Sequence, residues 1–274
     1  MPDELIALNP IGTVRSAIRE RKQMPAWGAP ASVAVHPKYA AALHRIEKHS
    51  HLWVFGWLMQ GRAERDVLQV TPRGVQDAGP EGLHGVFAVR SPARPNPIGL
   101  TAARVLARDG LVLHFDRLDF LDATPVLDLK PYFITRDLIF SANGQQVGRP
   151  RSREALRESL LVQGLHYHGL LQPEIALAVR MVEHYRLTVH GLDDPGCYRV
   201  CAPLGRPVLM DGLMGITRAT PGHGSLTFTN EDVVTFDGVY TYRVVADLPG
   251  SPAEILAAED GALFVAAGDQ AGAS

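Results

Sequence analysis

The chain has 274 residues, 46% hydrophobic and 20% charged, enough for one large or two ordinary globular cores, and no apolar run is long enough to span a bilayer. Its 27 Lys and Arg stand against 29 Asp and Glu, a net charge of −2, which excludes any overall attraction to a polyanion. Two cysteines, Cys197 and Cys201, exclude a disulfide framework, since on one strand they would lie about 13 Å apart. The opening Met1-Pro2-Asp3-Glu4 is acidic and lacks the basic-then-apolar order of a secretory signal, so a cytoplasmic protein is expected.

Residues 1–17 carry an apolar segment with Arg15, Arg19, Arg21 and Lys22 at and behind its end, read as a strand and then a loop through Met24-Pro25-Ala26-Trp27-Gly28-Ala29-Pro30. Those basic residues fit either a phosphate chain or a solvated charge run. Ala42, Leu43 and Ile46 fall at helical spacing within residues 39–48, and the apolar run 52–59 predicts a buried strand. Residues 71–84, with Pro72, Gly74, Gly79, Pro80 and Gly82, predict a long loop. Val86, Phe87 and Val89 predict a short strand, after which Pro92, Pro95 and Pro97 stiffen the chain and remove three backbone donors. That loop must sit at a rim, presenting Arg90, Ser91, Arg94 and Asn96. It reads equally as a preorganised grip for a carboxylate or phosphate and as a proline-rich turn with solvated arginines. Gly99 is expected to turn the chain back into a strand over 100–106, which Asp109-Gly110 joins to a strand over 111–115.

Beyond Tyr132 the pattern loosens, and residues 141–150 are polar and turn-rich, which predicts a linker between domains 1–140 and 151–274. Amphipathic helices are expected at 152–162 and at 173–185, the second opening on Pro173. Strands at 225–229, 233–236 and 239–245 complete an α/β domain, and a short helix over 253–259 precedes a frayed small-residue tail.

The run Gly85-Val86-Phe87-Ala88-Val89-Arg90-Ser91-Pro92-Ala93-Arg94-Pro95-Asn96-Pro97-Ile98-Gly99-Leu100-Thr101 resembles the central block of TsaA/TrmO-like proteins. Residues 118–132, LDFLDATPVLDLKPY, resemble its second block, while residues 11–16 and Ser50-His51-Leu52-Trp53 match its opening strand and its Ser-His-Leu-Trp strand. The resemblance spans roughly the first half of the chain. It implies an all-β barrel, a homodimer, S-adenosylmethionine as cofactor, and methylation of threonylcarbamoylated adenosine beside the tRNA anticodon, a step of tRNA processing. Carried over block by block, cofactor contacts fall on Trp27, Gly28 and Ala29, on Met59 and Gln60, on Arg90, on Leu100, and on Asp119, Phe120, Leu121 and Asp122. Trp27 and Met59 depart from the Gln-Pro-Gly loop and His-Gln strand end usual in the family. Chemically, Asp119 and Asp122 suit ribose hydroxyls and Arg90 suits the amino acid carboxylate, although the same acids also make an ordinary turn after a hairpin.

Methyl transfer is an in-line displacement that needs positioning more than acid–base help, and no base is assigned among His51, Asp122 and Tyr132. The dinucleotide and NTPase fingerprints are absent from the sequence. In the second half, His166-Tyr167-His168-Gly169 and Thr217–Leu226 resemble motif blocks of the FmdE domain of formylmethanofuran dehydrogenase. Gln172 and Ala219 stand at its motif cysteines, so no metal is expected there. The resemblance leaves His168, Asp211, Thr217 and His223 as a polar lining which, with Arg94 and Asn96 of the rim loop, is the candidate substrate-binding set. The fold expected is thus an N-terminal all-β barrel joined to a C-terminal α/β, FmdE-like domain. The reaction expected is methylation of a small-molecule or modified-nucleoside nitrogen; tRNA is the alternative acceptor, and cofactor binding without turnover a further one.

Overall fold

A computed structural model of the chain describes residues 7–59, 61–76, 79–142 and 147–268, with the side chain of Arg62 set aside. The chain divides into two compact units, Met1–Asn143 and Gly144–Ser274. In the first lie β1 (Gly12–Ser16), β2 (Ala29–Val35), β3 (His51–Trp57), the one-turn helix α1 (Arg62–Arg65), β4 (Gln69–Val70), β5 (His84–Gly85), β6 (Ile98–Asp109), β7 (Val112–Leu118), β8 (Pro125–Pro131) and the one-turn helix α2 (Ile134–Asp137). Six of the strands close an antiparallel barrel in the order β1-β2-β7-β6-β3-β8, while β4 and β5 pair separately. The period-2 alternation of a half-buried strand is plain in β3, where Leu52, Val54 and Gly56 point inward and His51, Trp53, Phe55 and Trp57 outward. Val14, Val33, Leu113, Phe115 and Val126 fill the barrel with Leu52 and Val54.

Three local expectations are corrected. Residues 39–48 form 3₁₀ turns, Pro37–Leu43 and Ile46–Lys48, separated by Arg45 in the left-handed region at φ 65, so no α-helix runs through them. Val86–Val89 is a series of turns and not a strand. Arg94 explains this, since its guanidinium donates to the carbonyls of Ser91 (2.6 Å), Val86 (2.9 Å) and Val89 (2.6 Å) and winds the segment around itself. Gly99 does not turn the chain; it lies inside β6, where an added Cβ would stand 2.5 Å from Phe120 Cε1 and 2.8 Å from Leu58 Cδ2. Gly99 is therefore a seat for Phe120. The expected hairpin is present but longer at both ends, with Gly110 at its tip.

The second unit holds α3 (Arg153–His168), α4 (Pro173–Val189), β9 (Val200–Pro203), α5 (Pro207–Thr217), β10 (Leu226–Thr229), β11 (Val233–Phe236), β12 (Tyr240–Val244), α6 (Pro252–Ala257) and β13 (Phe264–Ala267). Ser152 caps α3 by accepting from Ala155 N at 3.2 Å, and Pro173 opens α4. The sheet order is β10-β9-β11-β12-β13, with β10 and β9 parallel and the other pairs antiparallel. Helix α4 is the core of this unit, buried almost throughout from Ile175 to Arg186. It carries Glu183, fully buried, against Arg153, Arg157 and Arg180. Arg180 and Arg157 also donate to carbonyls at the end of α6, satisfying acceptors that the short helix leaves orphaned. The tail expected to fray after the last helix instead forms a 3₁₀ turn at Asp260–Ala262 and then β13 paired with β12, and only residues 269–274 of it lie outside the described residues.

Candidate functional site

Antiparallel pairing sets one rim of the barrel: Ala29 pairs with Leu118, Ser16 with Ala31, Trp57 with Ile98, and Gly56 with Val126. The end of β1, β3 and β7 and the start of β2, β6 and β8 thus lie together, and the segments 17–28, 58–97 and 119–124 all spring from that rim. These segments hold every candidate cofactor residue except Ala29, which opens β2, and Leu100, which lies in β6.

Two close contacts hold the rim together. Gly28, at φ +83, passes so near the end of β7 that an added Cβ would lie 2.8 Å from both the carbon and the oxygen of the Leu118 carbonyl, so only glycine fits. The neighbouring Trp27 is half-buried in the turn. On the other side, Asp122 N donates to Ile18 O (2.8 Å), and Asp122 Oδ1 accepts from Ser16 N (3.1 Å) while Oδ2 faces Arg19 Nε at 3.8 Å. Asp122 is thereby spent on fastening its loop to the end of β1.

Asp119 is different. Its carboxylate makes no hydrogen bond among the described residues, and its side chain is open to solvent with protein packed around its base. Burial raises its pKa above the ordinary carboxylate range, and the opposing pull comes from Arg73 and Arg90, both within electrostatic reach. Arg90 is exposed on the turn wound by Arg94. A carboxylate acceptor beside a guanidinium fork matches a ligand bearing hydroxyls at one end and a carboxylate at the other.

The remaining candidates divide by exposure. Phe120 is 2% exposed and seated on Gly56 and Gly99, so only its backbone is free to meet a ligand. Leu121 is half-buried, Leu100 stands on the outer face of β6, and Met59, just past β3, is 70% exposed with φ 27. Gln60 lies outside the described residues. Arg94 is occupied by three carbonyls, whereas the side chain of Asn96 is exposed beside it. Arg73 is the residue that sequence reasoning missed; a single Arg in a Gly- and Pro-rich loop carries no pattern.

In the second unit, His168 at the end of α3 and Asp211 of α5 come together, Nδ1 to Oδ2 at 3.0 Å, and Gln172 Nε2 lies 3.1 Å from the other ring nitrogen. The His168 ring thus bridges Asp211 of α5 and Gln172 ahead of α4. Thr217 is turned into the end of its own helix, donating to Leu213 O at 2.6 Å, and His223 is exposed on the following turn. The hydrogen bonds thus join His168 and Asp211 and leave Thr217 and His223 out.

Comparison with known proteins gives the following. The model of the tRNA-methyltransferase O N-terminal domain matches residues 13–138. A "Probable S-adenosyl-L-methionine-binding protein" of Archaeoglobus fulgidus is 34% identical over 238 residues, which are 82% of this chain and 61% of that protein. A protein of the same name from Methanothermobacter thermautotrophicus is 41% identical over 137 residues, 48% of this chain and 94% of that one. The tRNA (adenine(37)-N6)-methyltransferase of Escherichia coli is 36% identical over 137 residues, 44% of this chain and 55% of its own length.

Proposed function

Since the chain belongs to the tRNA-methyltransferase O (TrmO) family, we propose that it is a methyltransferase whose S-adenosylmethionine is held at the barrel rim between Arg90 and Asp119 and whose acceptor is the nitrogen of a small molecule or modified nucleoside. The observation that carries this reading is Asp119: an exposed carboxylate at the rim without a hydrogen-bond partner among the described residues, with Arg73 and Arg90 within electrostatic reach.

S-adenosylmethionine supplies an electrophilic methyl on a sulfonium that leaves as a neutral thioether. The chain's own groups bind and orient. Arg90 would hold the amino acid carboxylate with its guanidinium fork, and Asp119 would accept from the ribose hydroxyls. Backbone groups of residues 27–29 and 120–121 would read the adenine edge, beside the half-buried Trp27 and Leu121. Holding donor and acceptor in line is the catalytic contribution, and it requires no base. Met59, Phe87, Ile98 and Leu100, from 36% to 82% exposed, ring the same rim, which supports a homodimer whose second subunit covers them.

A second reading, tRNA as acceptor, is favoured by one observation. The unit Met1–Asn143 has 17 Lys and Arg against 14 Asp and Glu, so the unit carrying the rim is basic although the whole chain is not. For the second unit the FmdE-like assignment is a proposal supported by the His168–Asp211 pairing at its motif block. Incubation of the pure protein with labelled cofactor and either bulk tRNA or a metabolite extract separates the acceptors. Calorimetry with S-adenosylmethionine on the wild type and Asp119→Asn tests the site, and unaltered affinity in the folded variant removes Asp119 from it.

A further inference from the structure

The loop that carries Arg90 is short of donors. Pro92, Pro95 and Pro97 contribute no amide hydrogen, so carbonyls outnumber backbone donors over residues 86–97. Its two ends are anchored in the fold: Val86, 1% exposed, donates through its amide to Leu68 O at 3.0 Å, and the carbonyl of the buried Pro97 accepts from Leu58 N at 2.8 Å. Between those anchors little is buried, since Phe87 is 82% exposed and Ala88 and Arg90 are exposed with it. The carbonyls of Val86, Val89 and Ser91 receive no backbone amide among the described residues. They receive Arg94 instead, whose Nη2 donates to Val86 O (2.9 Å) and Val89 O (2.6 Å) and whose Nε donates to Ser91 O (2.6 Å).

We propose that Arg94 is a positioning residue of the cofactor site: it clasps the carbonyls on both sides of Arg90 and so fixes, before any ligand arrives, the backbone from which Arg90 reaches the ligand's carboxylate.

This role rests on the reading of Arg90 given above. Val89 and Ser91 are the chain neighbours of Arg90, so one rigid guanidinium holds the carbonyl ahead of it and the carbonyl behind it. The prolines do not do this by themselves. They fix their own φ and restrict Ser91, Arg94 and Asn96 ahead of them, which leaves Phe87, Ala88, Val89 and Arg90 untouched. Nor does the core, because the turn is wound at the surface with Phe87 left outside. Without Arg94 these residues would be ordered only when the ligand binds, and that entropy would be lost from affinity. The fork is specific to arginine. A lysine at this position keeps the charge, but its ammonium on a flexible stem lacks the planar set of donors that meets three carbonyls in fixed directions. Because Val86 and Pro97 are held independently, the barrel does not depend on the clasp.

The experiment is calorimetric titration of the full-length protein with S-adenosylmethionine and with methylthioadenosine, which keeps adenine and ribose but has no carboxylate for Arg90. The proteins are the wild type, Arg94→Gln, Arg94→Lys, Arg90→Ala and the double variant Arg90→Ala with Arg94→Gln. Arg94→Gln is expected to weaken S-adenosylmethionine binding by about tenfold, Arg94→Lys to weaken it equally, and the double variant to bind no more weakly than Arg90→Ala alone. Methylthioadenosine should bind Arg94→Gln as it binds the wild type. Losses that multiply in the double variant, equal weakening of both ligands, or wild-type affinity in Arg94→Lys each overturn the role while leaving the cofactor site standing. So does an Arg94→Gln that fails to fold, since the clasp would then hold the barrel and not the arginine. Unaltered affinity in Arg90→Ala removes Arg90 from the site, and the role of Arg94 with it.

Discussion

The two units use arginine in opposite ways. The barrel unit holds all four lysines and 13 arginines, and Arg15, Lys22, Arg73 and Arg90 make no ion pair among its described residues. The second unit has ten arginines and no lysine against 15 acids, and seven of those arginines lie in ion pairs, two of them, Arg180 and Arg186, buried. There the planar fork binds elements to one another: Arg180 ties α4 to α6 and Asp260, Arg206 ties Glu174 to Asp232, and Arg186 holds Leu192 O and Asp193 O. At the barrel rim, Arg73 and Arg90 are exposed, while Arg94 turns into its own loop. A net charge of −2 therefore averages a basic unit with a strongly acidic one and describes neither.

The largest effect that would test this contrast is at Glu183. Glu183→Gln leaves three guanidinium groups around a neutral amide in a dry setting, and a loss of about 3–5 kcal/mol is expected. It should appear in urea unfolding of the second unit while cofactor affinity at the rim stays as it was; a loss under about 1 kcal/mol would mean that the cluster contributes little. Arg90→Ala comes next, weakening S-adenosylmethionine binding by about 1.5–3 kcal/mol with no change in stability, read by calorimetry. Gly99→Ala should cost about 1–3 kcal/mol, because its methyl meets the Phe120 ring, and unlike Arg90→Ala it should lower stability and affinity together. For RNA, neutralising Arg19, Arg21 and Lys22 should flatten the salt dependence of tRNA retention by roughly one unit of slope for each phosphate no longer neutralised. Neutralising Arg151, Arg199 and Arg218 of the second unit should leave it alone; equal effects would break the contrast. The smallest change is expected from Glu231→Ala, whose exposed pairing with Arg243 at 3.8 Å is worth about 0–1 kcal/mol by thermal melting.

Much of this architecture is legible in the chain. Period-2 and 3.6 patterns find the β6–β7 hairpin and the helices α3 and α4, because burial of one face dictates them. The pattern fails at Val86–Val89, where three apolar residues suggest a strand and a distant guanidinium imposes turns; Phe87 consequently ends 82% exposed. It misses α5 as well, whose glycines are there because Gly212 and Gly215 lie against Ala178 and Tyr167 of neighbouring helices. At the rim, Asp119 and Asp122 are indistinguishable in sequence. Only the backbone of β1, which claims one of them, reveals which is left for a ligand.

The seam between β1 and β8 has a kinetic meaning. Gly12 with Val126 and Thr13 with Pro125 are its paired residues, and it joins parts of the chain more than a hundred positions apart, making it the contact with the heaviest loop-closure entropy in the barrel. The fastening of Asp122 to Ser16 and Ile18 continues that seam, so the turn presenting Asp119 takes its shape only when the ring is shut. A ligand held there recognises the closed ring and no partly zipped precursor. Its binding energy should therefore appear in the rate at which the barrel comes apart, which it retards, and leave the rate at which it assembles unchanged.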